Sequence, residues 1–237
     1  MPDQEPRPKV TPYLVERAGE LCPRRLRLDF QGQKGDQGAF TRGRVRDPLV
    51  EDARAAQAEM GPPNPASFRV RTELLPEEQA VQRRSIDHYL EMFGAESARA
   101  IDHDPYRQRT PRRGIEVGGW IDLACEREDG APEYRQLEIW GRDVAPDPTL
   151  NMNLLLALLR LSKWIAGRTV HVRVADLIRG VRRDAEVDLG ARQDELVALF
   201  EERLTLIEAR ARRAQAVPGD HCTACPYVAG CPAFLER

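Results

Sequence analysis

Three cysteines close this chain as C-x2-C-x5-C, at Cys222, Cys225 and Cys231 in a tail rich in proline and glycine. No other feature restricts the fold as much. Three soft thiolates at that density suit a metal centre, and such a centre wants a fourth ligand. Cys125 falls on the apolar side of a predicted strand, where it reads as a small hydrophobe. Cys22 lies some 200 residues upstream of the triplet, in ELCPRR. A centre that includes Cys22 joins the two ends of the chain. Closing so long a loop restricts the unfolded chain by roughly 4–5 kcal/mol in a chain-entropy treatment. A lone distant cysteine with a compact triplet fits iron–sulfur. Zinc, with His221 as a substitute ligand, and no metal at all are the competing readings. A clasp has a physical use here, because aromatics are only 6% of the residues.

Five cysteines are too few for a secreted disulfide scaffold, and the number is odd. The 237 residues include no apolar run near the roughly 18 needed for a membrane span. The start, MPDQEPRPKV, lacks the apolar stretch of a secretory signal. A soluble, cytoplasmic protein is expected. Net charge is −2, so no chain-wide basic field announces nucleic acid. Lys9, Lys34 and Lys163 are the only lysines beside 33 arginines, which reflects a high-GC genome as much as function.

Residues 1–10 read as a loose leader. The segment 11–30 reads as a short helix broken at Pro23, then another turn or a strand. QGQKGDQGA at 31–39 is a glycine-rich loop. A helix over 40–60 carries Val45, Leu49, Val50, Ala53 and Ala56 on one face, and GPPNPAS ends it. FRVRTELL at 68–75 alternates like a strand, and 76–95 has helical spacing behind a first-turn proline. The segment 102–113 reads as a polar connection. Strands are expected at 114–126 and 134–140 around the turn REDGAPE. An apolar helix follows at 150–166, a strand pair at 169–180 and 181–189, and a long amphipathic helix at 191–213. This order argues a single mixed α/β domain over 1–237.

Side chains alternate along strands. Ile115, Val117, Ile121, Leu123 and Cys125 share the apolar face of the first strand, as do Leu137 and Ile139 in the second. Asp122 and Glu138 therefore share the opposite face of an antiparallel pair. Two carboxylates there make a hard oxygen site suited to Mg2+ or Mn2+. The alternative is that both are ordinary solvent-facing acids.

These segments carry a resemblance. The chain resembles the PD-(D/E)XK nuclease superfamily in its RecB/AddB-type branch, some members of which hold a 4Fe-4S cluster, and the likeness runs along nearly the whole length. CPRRLRLDF resembles the family's N-terminal Cys-Pro-Arg segment. GRVRDPLVE resembles its first motif, GGWIDL the motif ending in a metal-binding aspartate, and LEIW the E-x-K motif. LNMNLLLALL lies where the family places its Q-x-x-x-Y helix, and HCTACPYVAGCPAF resembles the cluster-binding tail. The resemblance implies a restriction-endonuclease-like core: a central mixed sheet flanked by helices, with the two chain ends joined at the cluster. Its cluster ligands would be Cys22, Cys222, Cys225 and Cys231. Asp122, Glu138 and the Ile139 carbonyl would hold the divalent metal, with Glu51 as the supporting acid. That metal polarises the scissile phosphate and activates a water.

The sequence departs from the family at several points. Trp140 stands at the motif lysine. The first-motif histidine would fall at Asp47 or Arg46. The helix at 150–166 lacks the family's Gln and Tyr. Tryptophan supplies no positive charge, and losing one preorganised donor costs on the order of 10²–10³ in rate. Arg142 and Lys163 are the candidate replacements. Arg24, Arg25 and Arg27, then Arg42, Arg44 and Arg46, then Arg107, Arg109, Arg112 and Arg113 flank the motif segments. They are read either as phosphate contacts in a DNA channel or as solvated surface. The resemblance implies DNA as partner, in repair, recombination or defence, beside a helicase or nuclease subunit. It leaves two versions, a rewired nuclease and a silent DNA-binding or scaffolding subunit. A zinc-stabilised protein-interaction domain is the reading from another class.

Overall fold

The computed structural model describes residues 9–10, 14–15, 22–31, 41–101, 110–112, 115–117, 121–139, 141, 143–165, 167–213, 215–217, 222, 225, 227 and 231. In chain order the elements are β1 (Lys9–Val10), α1 (Pro23–Phe30), α2 (Thr41–Ala56), α3 (Pro76–Phe93), β2 (Ala98–Ala100), β3 (Thr110–Arg112), β4 (Ile115–Val117), β5 (Leu123–Arg127) and β6 (Pro132–Glu138). Then come α4 (Met152–Ile165), β7 (Thr169–Asp176), β8 (Val181–Asp188) and α5 (Leu189–Arg213). Among the described residues no helix is long and apolar enough to cross a membrane.

The chain divides into two compact units. One comprises Met1–Ala39, Tyr106–Gly119 and Glu195–Arg237; the other comprises Phe40–Pro105 and Trp120–Asp194. The first contains a three-stranded sheet in the order β1-β4-β3, with β1 parallel and β3 antiparallel to β4. The second contains a five-stranded mixed sheet in the order β2-β5-β6-β7-β8. There only β6 and β7 run parallel, and a parallel pair requires a crossover, which α4 provides. The protein is thus mixed α/β, with the five-stranded sheet flanked by helices.

In the second unit the core lies where α2 and α3 meet the sheet. Val45, Leu49, Val50 and Ala53 of α2 join Tyr89 and Phe93 of α3 against Leu123, Cys125, Leu137 and Ile139. These are the α2 positions that helical spacing predicts. Pro76 opens α3, where its missing N–H costs nothing, and the Glu78 carboxylate accepts the Leu75 N–H at 2.9 Å. Between β5 and β6 the chain turns at Asp129-Gly130. Gly130 sits at φ +76°, a conformation glycine adopts without steric cost.

Four local expectations are corrected. Pro23 opens α1, so a helix stands where another turn or a strand was expected. Residues 68–75 form no strand: the Asp52 carboxylate takes the Arg69 N–H at 3.0 Å and the Gln82 amide oxygen takes the Arg71 N–H at 2.7 Å. Side chains there supply the acceptors that a neighbouring strand would have offered. The segment 102–113 contains β3. The expected strand at 114–126 is two strands in different sheets, β4 and β5. The alternation runs on across the break and carries no mark of it.

Candidate functional site

All seven residues of β6 are buried, although Glu133, Arg135, Gln136 and Glu138 are polar. A central strand of this kind needs hydrogen-bond or ionic partners for its polar side chains. The odd-numbered groups form one centre, on the side of α3. Arg135 is 0% exposed. It donates to Glu133 at 2.5 Å, to the Gln57 amide oxygen at 2.8 Å and to the Tyr89 hydroxyl at 3.2 Å, and its guanidinium lies 4.3 Å from the centre of the Phe93 ring. Arg173 on β7 binds the other Glu133 oxygen at 2.7 Å. Burial alone raises the Glu133 pKa, but Arg135 and Arg173 more than reverse this and hold it below the usual carboxylate range. Cys125 is packed beside this centre with no exposure. Burial, aided by Glu133 and opposed by Arg135, pushes its thiol up to about 12, so it is an inert core residue.

The even-numbered groups form the second centre. Asp122, one residue before β5, and Glu138, the last of β6, are the chain neighbours of the core residues Leu123 and Leu137. They are 1% and 3% exposed, so neither is an ordinary solvent-facing acid. Gln136 donates to the Glu138 carboxylate at 2.7 Å, and the Asn151 side-chain amide donates to the Gln136 oxygen at 2.9 Å. Asn151 also caps α4 by accepting the Leu154 N–H at 3.1 Å. The start of α4 therefore fixes the Glu138 rotamer through Gln136.

Asp122 has both carboxylate oxygens engaged. One accepts the Leu137 N–H at 2.8 Å and the other is bound by the Arg46 guanidinium. The Asp122 main-chain carbonyl accepts from Arg54 at 3.0 Å. Arg46 is 9% exposed and also donates to Asp47 at 3.4 Å. Burial opposes the charge on Arg46, but Asp122, Tyr134, Asp47 and Glu138 outweigh it and raise its pKa above the ordinary guanidinium value. Burial pushes the Asp47 carboxyl up, opposed by Arg46 and reinforced by Asp122 and Glu51. Tyr134 is likewise pushed well up, by burial first and then by the Asp122 charge. Beyond Glu138, a cavity of about 80 Å3 is lined by Asp143, Asp176, Arg179 and Arg183 among others. Asp176 is the register partner of Glu138 on β7.

Glu51 lies exposed on α2, one turn beyond Asp47. Ile139 is buried at the end of β6. Trp140, Arg142 and Arg113 lie outside the described residues. Lys163 and Arg112 belong to α4 and β3, and their side chains are not described. Arg24 and Arg25 are half-buried on α1, with Arg25 3.6 Å from Asp29. Arg44 is exposed and donates to the Glu73 carbonyl at 3.0 Å. Arg46, read from the sequence as a member of a basic cluster or at the place of a motif histidine, is the buried partner of Asp122. Helical spacing could have found its burial, though not its partner. Arg46, Val50, Ala53 and Gln57 follow helical spacing, and all four are buried.

In the first unit the chain ends meet through protein contacts. The Val217 N–H donates to the Cys22 sulfur at 3.3 Å, and the Tyr227 hydroxyl donates to the Asp29 carboxylate at 2.6 Å. Cys22, Cys222, Cys225 and Cys231 are all free thiols. As a donor set they suit an iron–sulfur cluster, and an N–H bond to sulfur is the kind of contact that supports a thiolate ligand. Among the described residues no three His, Cys, Asp or Glu side chains are grouped to hold a metal ion. For a divalent cation at Asp122 and Glu138 the fit fails for a definite reason: the Asp122 oxygens are taken by a guanidinium and a main-chain N–H.

No family model matches the sequence, and no curated protein matches it. Among solved structures, the chain is similar to one described as the crystal structure of SSO0001, at 12% identity over 99% of this chain and 89% of that chain. The TM-score is 0.37, and a likeness of that degree carries no argument about fold or function.

Proposed function

We propose that this chain is a DNA-processing protein built on a RecB-type, nuclease-like core, acting in repair, recombination or defence beside a helicase or nuclease subunit. Its own phosphodiesterase site is degenerate, and the chain serves as a silent DNA-binding or scaffolding subunit. One observation carries the reading: Asp122 and Glu138, the two acids that the resemblance assigns to the motif positions, are both buried and both act on the Arg46 guanidinium. Burying two carboxylates is costly, which fits a pair that descends from or serves a charged site. The 4Fe-4S cluster belongs to the same proposal. Cys22, Cys222, Cys225 and Cys231 would hold it, and it would supply a staple between the chain ends. The contact between Cys22 and Val217 and the free thiols of the four proposed ligands support this; a cytoplasmic setting is part of the same proposal.

The test is binding of labelled single- and double-stranded DNA to the full chain at low salt. Binding is expected, and it should weaken at least about tenfold between roughly 50 and 200 mM salt as counterions are released. Absence of binding to both forms at the lowest salt overturns the reading.

A further inference from the structure

We infer that the cation serving the Asp122–Glu138 pair is the protein's own Arg46, standing where the resemblance would put a divalent metal. The inference rests on reading these acids as the nuclease-type pair, and it adds what that reading leaves open: what balances their charge.

A buried carboxylate must be compensated, by a metal, by a proton or by a basic side chain. Here α2 delivers the compensation. Arg46 shares the buried stripe of Val50, Ala53 and Gln57, so its guanidinium is directed inward and not to solvent. It binds one Asp122 oxygen while the Leu137 N–H binds the other, and Arg54 holds the Asp122 carbonyl. Glu138 adds its field to the same guanidinium and is itself held by Gln136 and Asn151. The arrangement is thus locked from α2, β6 and α4 together.

Arginine makes the lock permanent. A lysine or histidine beside Asp122 could lose its proton and leave room for a metal. A guanidinium keeps its charge throughout the working pH range. A divalent cation approaching Asp122 would meet a fixed positive charge that has Asp47 as its other hydrogen-bonded acid. It would have to expel the side chain, since it cannot neutralise it. The pair is therefore an internal ion-pair centre that takes no catalytic metal, and the chain works without cutting.

Mn2+ titration of the full chain, followed by the loss of the free-ion paramagnetic resonance signal, tests this on wild type, Asp122→Asn, Arg46→Met and the double variant. Wild type and Asp122→Asn are expected to take up the same amount. Arg46→Met is expected to gain one site at least about tenfold tighter than any in wild type, within the range by which supporting groups alter metal affinity. The double variant loses it again. A tight wild-type site that Asp122→Asn removes overturns the inference, and so does a folded Arg46→Met protein that gains nothing. If Arg46→Met does not fold, the comparison of wild type with Asp122→Asn decides alone. Failure of DNA binding overturns the functional reading and leaves the titration result standing, so the two are separable.

Discussion

At Asp122 the cost of burial is met by the Leu137 N–H and by one opposite charge, Arg46, and the cost of removing that charge follows. A carboxylate left in the interior without Arg46 loses its partner and regains no water. Arg46→Met should therefore destabilise the protein by about 3–5 kcal/mol, the usual range for breaking a buried pair from one side. Asp122→Asn leaves the guanidinium short of its counter-charge and should be destabilising too. The two losses share one cause, so the double variant should be more stable than the sum of the single effects implies. Urea unfolding of the four proteins measures this coupling, and strictly additive effects would mean that Arg46 and Asp122 do not depend on each other. The residue-scale site was only half legible in the sequence. Strand alternation put Asp122 and Glu138 on one side. It gave no indication of Arg46 as their neighbour, because a helix-to-sheet pairing is a tertiary fact. The helical spacing from Arg46 to Gln57 could have marked the arginine as buried, but not beside what.

Strand β6 is the element on which both charged centres depend. Its two faces alternate between Glu133 with Arg135 and Gln136 with Glu138, so a one-residue slip against β5 would exchange them and leave both sets without partners. Glu133 also sets a pH dependence. Its pKa is lower in the folded chain than in the unfolded one, since Arg135 and Arg173 favour the charged form. Its contribution to stability is complete above the ordinary glutamate range, near pH 4.5, and is lost as pH falls through that range toward the folded value. Asp47, pushed up by burial, runs the other way: the protonated form is favoured on folding, and that contribution fades as pH rises. Glu133→Gln should flatten the acid side of the stability profile. Thermal unfolding from about pH 6 down to about pH 3 tests this, and an unchanged profile would contradict it. At this scale the sequence was most legible where a period is long and uniform, as in α2, α3, α4 and the β7–β8 pair. It misled where another partner took over the backbone, at 68–75, where Asp52 and Gln82 supply acceptors. It also misled at 114–126, where one alternating run feeds two sheets.

Over the whole molecule, sequence neighbours and structural neighbours part company. One unit gathers the chain ends, where the tail meets Cys22 and Asp29 across almost the full length of the chain. The other unit holds the five-stranded sheet and the acid pair. The cysteine spacing suggested a junction of the ends through a cluster that includes Cys22; the contacts seen there are between protein groups, Val217 with Cys22 and Tyr227 with Asp29. The division into units was not legible, since the boundary falls inside what reads as one strand. If the cluster is present, anaerobically purified protein should be brown and carry about four irons per chain, and Cys22→Ala should lose them. Colourless, iron-free material would leave only the protein contacts as the clasp. The claim that binds these scales together is that the chain handles DNA and leaves it intact, because its acid pair is already occupied by Arg46. Incubation of end-labelled DNA with the full chain in Mn2+ tests it most directly. The account predicts DNA that is bound and stays full length; shortening of the label that requires Mn2+ and disappears in Asp122→Asn would contradict it.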